Sequence, residues 1–147
     1  MVKNSPSSKD EIFLKLFEAA KKYLDHAHSP YSRVKVASAV LMSDGDIFGG
    51  CNVENASFGG TICAERVAIT KAVSEGHKKI EAILVVTNQK NIWPPCGLCR
   101  QVISEFASKN LVVYACDLNK KSLKMKFSEL FPSSFDAETA KSLIQGQ

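Results

Sequence analysis

Two short apolar runs, at 82–87 and 111–115, flank a segment whose apolar residues recur at helical spacing from about 97 to 108. Unbroken runs of that length, rich in Val and Leu, read as strands buried on both faces. A helix between two such strands makes them parallel neighbours joined by a right-handed crossover. That unit buries its apolar faces only inside a layered α/β structure, so the rest of the chain must supply the missing layers. Upstream, 34–42 and 47–53 read as an antiparallel hairpin closed at Asp44-Gly45, a strong turn pair. The chain before it reads as an amphipathic helix on Ile12, Phe13, Leu16, Phe17, Ala20, Leu24 and Ala27, opened by a capping box at Ser8 and Glu11 and ended by Ser29-Pro30. A second helix spans 63–75 and stops at Gly76; a short strand at 123–126 and helical turns after Ser128 complete the order. The expected fold class is α/β, a three-layer α/β/α arrangement with a mixed five-stranded sheet. Residues 1–8 are expected to form a flexible N-terminal tail, and 9–147 a single domain.

Composition narrows the function classes. With 147 residues, 45% hydrophobic and 23% charged, the chain has the balance of one globular domain. No apolar stretch approaches the roughly 18 residues of a membrane helix, and the N-terminus lacks the apolar region of a secretory signal. The expectation is therefore a soluble, cytoplasmic protein with no membrane partner. A net charge of +4 is mild for a nucleic-acid module. The lysines at 120, 121, 124 and 126 suit a solvated edge strand, with phosphate binding as the other reading. No aromatic residue interleaves with them to stack bases, so no nucleic-acid partner is expected.

The five cysteines are odd in number, which disfavours a disulfide framework and gives weight to metal binding or catalysis. Cys63-Ala64-Glu65 and Pro95-Cys96-Gly97-Leu98-Cys99 both stand where a loop enters a helix. Cys96 and Cys99, three apart, share one face of a first helical turn, and helix N-termini favour thiolate over thiol. Three thiolates from two such ends make a soft-ligand zinc site whose fourth position stays open, the arrangement of catalytic rather than structural zinc. Glu65, two residues past Cys63, lies near the metal without binding it, where a carboxylate can move protons. Cys51 and Cys116 end strands and read as packing residues. His26 and His28 cannot share a helix face, and His77 follows a helix-ending Gly; the zinc argument needs none of them.

The sequence resembles the cytidine deaminase family, in its small homotetrameric branch. Five segments carry the resemblance, in order: Ser29-Pro30-Tyr31-Ser32; the run 50–57 with Asn52-Val53-Glu54; Cys63-Ala64-Glu65-Arg66; Pro95-Cys96-Gly97-Leu98-Cys99-Arg100-Gln101; and the run 129–135 ending in Phe135. The zinc-deaminase signature of three cysteines with a non-ligand Glu is a general one. The resemblance implies one Zn2+ per subunit on Cys63, Cys96 and Cys99. It implies a zinc-bound hydroxide attacking C4 of the base, and Glu65 as the proton shuttle. Asn52 and Glu54 would hydrogen-bond the ribose, and backbone near Ala64 would read the base edge. Arg66 would offset the negative charge of the ligand sulfurs, with Gln101 orienting it. Phe135 would reach into a neighbouring subunit's pocket, making the homotetramer part of the site. The implied activity is hydrolytic deamination of cytidine and deoxycytidine to uridine and deoxyuridine plus ammonia, in pyrimidine salvage.

The chain departs from that pattern at Val34, where the family usually has Phe against the pyrimidine, and at Ala37-Ser38, where it has Gly-Ala. The stretch Val36-Ala37-Ser38-Ala39 is similar to blasticidin S deaminases, which act on a nucleoside antibiotic and lack the N-x-E. A modified cytosine nucleoside is thus the alternative substrate. Editing of a flipped base in nucleic acid and a non-catalytic zinc-containing assembly protein remain as readings of other classes. By spacing alone, Asn52 and Glu54 also fit turn residues that close a strand.

Overall fold

The computed structural model describes Lys3, Asn4 and residues 10–145. A six-stranded mixed sheet has the order β1-β6-β5-β4-β2-β3, with β1 Lys3–Asn4, β2 Val36–Met42, β3 Ile47–Cys51, β4 Ile80–Thr87, β5 Ala107–Asp117 and β6 Ser122–Lys126. The five expected strands are all present, and the two-residue β1 extends the β6 edge antiparallel. The tail expected over 1–8 otherwise lies outside the described residues. Among the described strands only β4 and β5 pair parallel, linked through α3 Gly97–Phe106.

Period-two alternation decides which face each strand residue serves. Ala82, Leu84 and Val86 of β4, with Tyr114 and Cys116 of β5, face α1 Glu11–Leu24, which buries Phe13, Leu16, Phe17, Ala20 and Leu24 against them. Ile83, Val85, Val113 and Ala115 face the opposite layer, where α2 Ala64–Ser74 contributes Ala68, Ile69 and Ala72 and α3 contributes Ile103. The three-layer order follows from that division.

The entry to α1 corrects the sequence reading. Ser8 lies outside the described residues, and the cap is Asp10, whose carboxylate accepts the Phe13 N–H at 3.2 Å. The same carboxylate accepts from Tyr114 Oη at 3.0 Å and Lys124 Nζ at 2.8 Å, so the cap is tied to β5 and β6. β5 begins at Ala107, directly after α3, rather than at 111. The final helical turns resolve into α4 Phe127–Leu130 and α5 Ala137–Gln145.

The approach of α2 to the sheet positions the site. A Cβ on Gly50 of β3 would stand 2.8 Å from the Ala68 backbone nitrogen and 2.7 Å from Val67 Cγ1, so only glycine lets the helix lie this close. At the far end, Gly76 turns out at φ +97° while His77 N–H returns to the Ala72 carbonyl at 3.0 Å. Among the described residues no helix is long and apolar enough to cross a membrane.

Candidate active site and metal centre

Cys63 and Cys96 are the N-cap residues of α2 and α3, and neither helix has a side-chain cap at that end. Both helices therefore direct their uncapped first-turn N–H groups and positive dipole ends toward the sulfurs. Cys99 follows in the first turn of α3 and is buried. The three Sγ atoms lie within 4.8 Å of one another, and Cys63 Sγ stands 3.9 Å from Cys96 Sγ. Tetrahedral zinc with Zn–S bonds of about 2.3 Å separates its sulfurs by about 3.8 Å. The donor set fits Zn2+ in both chemistry and spacing. Among the described residues no fourth Cys, His, Asp or Glu ligand atom joins the cluster.

Electrostatics around the sulfurs favour a thiolate. The Cys99 thiol donating to Cys63, with Arg66 behind it, draws the Cys63 thiol well below its ordinary range, and Cys99 is raised in turn by that neighbour. Arg66 Nη2 donates to the Thr61 carbonyl at 2.8 Å and lies 3.9 Å from Cys63 Sγ. Its Nε is buried with no acceptor, a spare donor beside a cluster that carries negative charge with a metal bound.

Glu65, the second residue of α2, is 4% exposed and lines the same cleft. Burial pushes its carboxyl up to about 7, and the nearby Cys63 thiolate adds to the rise. A carboxyl held there takes up and gives back a proton near neutral pH.

The cleft holds about 300 Å³, at the small end for ligand sites, and gathers Val34, Asn52, Glu54, Cys63, Ala64, Glu65 and Cys96 from the sequence-expected residues. Its remaining lining includes Val36, from the 36–39 stretch, and Val85, Thr61 and Trp93, which sequence reasoning did not single out. For Trp93 a signal existed: it is the aromatic residue immediately before Pro94-Pro95-Cys96.

Asn52 and Glu54 do structural work in this wall. Asn52 is buried, accepts the Val36 N–H through Oδ1 and donates from Nδ2 to the Val34 carbonyl, both at 2.9 Å. Glu54 accepts the N–H groups of Tyr31 at 2.9 Å and Ser32 at 3.2 Å, and also the Ser32 hydroxyl. Each lines the cleft and keeps unused capacity: one amide hydrogen on Asn52, and a lone-pair site on the Glu54 carboxylate.

Two expected residues stand elsewhere. Gln101 makes no hydrogen bond to Arg66; its Nε2 donates to the Phe135 carbonyl at 2.6 Å and to Ser104 Oγ at 3.3 Å. Gln101 and Ser104 are three positions apart, so both stand on one face of α3, and that face takes the C-terminal segment. The Phe135 side chain does not line this chain's own cleft, and the residue is 56% exposed.

Comparison with known proteins agrees with this geometry. Residues 10–115 match the family model described as the cytidine and deoxycytidylate deaminase zinc-binding region. A cytidine deaminase from Halalkalibacterium halodurans is 47% identical over 112 residues, covering 76% of this chain and 85% of that protein. A more distant relative, the blasticidin-S deaminase of Bacillus cereus, is 31% identical over 108 residues, covering 68% of this chain and 76% of that protein. The crystal structure of cytidine deaminase from Burkholderia pseudomallei superposes with a TM-score of 0.78 at 39% identity, covering 83% of this chain and 98% of that one. With the cysteines of the matched region converging at two helix starts, the chain belongs to the zinc-binding cytidine and deoxycytidylate deaminase family.

Proposed function

We propose that this protein deaminates cytidine and deoxycytidine to uridine and deoxyuridine with release of ammonia, as a pyrimidine-salvage enzyme of the cytoplasm. The observation that carries the reading is the three-thiol cluster with the buried Glu65 carboxylate beside it in one small cleft. Zinc held by Cys63, Cys96 and Cys99 supplies the Lewis acidity that makes water nucleophilic near neutral pH. Glu65 takes the proton from the attacking water and delivers it to N3 of the cytosine ring as the oxygen bonds to C4. It then takes the proton of the new C4 hydroxyl and passes it to the exocyclic nitrogen; the C4–N bond breaks, C4 becomes a carbonyl, and ammonia leaves. Arg66 lowers the charge on the ligand sulfurs. Backbone at Cys63 and Ala64 reads the base edge, and the free hydrogen of Asn52 and free lone pair of Glu54 take the ribose hydroxyls.

The outward Phe135 supports a homotetramer in which a neighbouring copy completes each site. Gln101 on the Phe135 carbonyl and Arg100 Nη1 on the Leu130 carbonyl at 3.1 Å fix the backbone from which that ring projects. The free thiols of Cys63, Cys96 and Cys99 suit a reducing compartment. A second reading, deamination of blasticidin S, draws on the small Val34 wall and on the similarity to the Bacillus cereus enzyme.

Absorbance-monitored turnover of cytidine, deoxycytidine and blasticidin S by the zinc-loaded protein tests this directly. Turnover of the first two is expected. Turnover of the antibiotic alone would overturn the salvage reading, and no turnover of any would overturn the catalytic one.

A further inference from the structure

Among the described residues that line the cleft, Trp93 is the one aromatic side chain, beside Pro94, three valines and the polar groups of the metal end. It is 43% exposed. Among the described residues its ring makes no aromatic or cation contact, and its indole N–H no hydrogen bond. The other exposed aromatics nearby are already engaged: Tyr31 and Phe58 pack edge-on at 5.6 Å and line the adjoining hollow instead.

The loop that carries Trp93 is held at both ends. Ile92 packs against the main core, Pro95 is buried, and the Pro95 carbonyl accepts Arg100 Nε at 2.8 Å. A residue before proline is restricted to extended backbone, so Pro94 narrows the conformations open to Trp93 itself. A large apolar ring on a pre-organised backbone, facing a cleft and without a partner, is the feature that binds a planar ligand at low entropic cost. Val34 and Val36, which also line the cleft, are aliphatic and clamped by Asn52.

We propose that Trp93 is a specificity-determining residue of this site, its indole stacking on the planar pyrimidine ring of the bound nucleoside. The proposal rests on the deaminase reading for the identity of the ligand. Stacking of an aromatic side chain on a base contributes on a scale that corresponds to about a tenfold change in affinity.

Trp93 is the only tryptophan of the chain, so its emission reports the contact without any turnover. Zinc-loaded protein in its native assembly is titrated with uridine, the product, and with dihydrouridine, whose base ring is saturated and puckered. Uridine is expected to quench the emission and to bind about tenfold tighter than dihydrouridine. In Trp93→Ala, KM for cytidine rises about tenfold with kcat changed less than threefold, the preference for uridine collapses, and zinc content and assembly mass stay unchanged. Trp93→Phe restores most of the lost affinity. An emission unchanged at saturating uridine, a Trp93→Ala KM within twofold of wild type, or dissociation of the assembly in that variant would each overturn the proposal. Failure of the deaminase reading is separable, because it shows as absent cytidine turnover in the wild type.

Discussion

Asn52→Ala separates the two tasks assigned to the cleft wall. The residue is 8% exposed and its amide bridges the Val34 carbonyl and the Val36 N–H, each at 2.9 Å. Truncation removes both bonds and leaves one donor and one acceptor without partners. A net bond contributes about 1 kcal/mol, and an abandoned group that stays dry costs up to about 3 kcal/mol. Val34 and Val36 both line the cleft, so water relieves part of that cost at the two abandoned groups. The expected loss is therefore about 2–4 kcal/mol, a large part of the total stability of a domain this size. Urea unfolding followed by circular dichroism, at matched protein and zinc concentrations, measures it. Asn52→Asp keeps an acceptor for Val36 but sets an oxygen against the Val34 carbonyl, so it recovers only part of the loss. A destabilisation below about 0.5 kcal/mol for Asn52→Ala would refute the clamp and leave the residue with a ligand role alone.

Cys96→Ala is expected to lose zinc, because the two remaining thiols no longer form the three-point donor set, and to lose assembly with it; full zinc occupancy by metal analysis would refute the ligand assignment. Asp10→Asn is expected to flatten the acid limb of stability. Burial raises the Asp10 pKa, but the hydrogen bonds from Lys124, the Phe13 N–H and Tyr114 outweigh it, and the folded value lies below the ordinary one. Stability from the ionised form is thus complete above the unfolded value, near 3.9, and is lost as pH falls through the lowered folded value. Urea midpoints of wild type and variant should begin to converge as pH falls below about 4; parallel curves down to pH 2 would contradict it.

What the sequence disclosed follows from the range of the forces involved. The Asp44-Gly45 turn, the Gly76 stop and the cysteine spacing are local, each set by neighbours within one turn of chain. The zinc cluster could be read because both of its halves begin helices, even though Cys63 and Cys96 are 33 positions apart. Long-range choices could not be read in this way. Asp10 rather than Ser8 caps the first helix because Tyr114 and Lys124, more than a hundred residues away, converge on its carboxylate. Gln101 has chemistry suited to orienting Arg66, yet the C-terminal segment brings the Phe135 carbonyl to 2.6 Å and takes its amide. Asn52 and Glu54 fit both readings offered by their spacing, since turn-closing bonds and unused capacity coexist in the same side chains. Trp93 is marked in the sequence by its place before Pro94-Pro95-Cys96, but a single aromatic in an irregular loop has no periodicity to announce its direction.

The most direct test of the account compares wild type and Glu65→Gln for zinc content and for ammonia released from cytidine. Glu65 is buried beside the metal cysteines without belonging to their cluster, so the amide should preserve both fold and metal while removing the proton carrier. The expected result is full zinc occupancy with turnover reduced by at least about 10²–10⁴. Turnover above a tenth of the wild-type rate, with zinc retained, would place the proton transfers on another group and contradict the account.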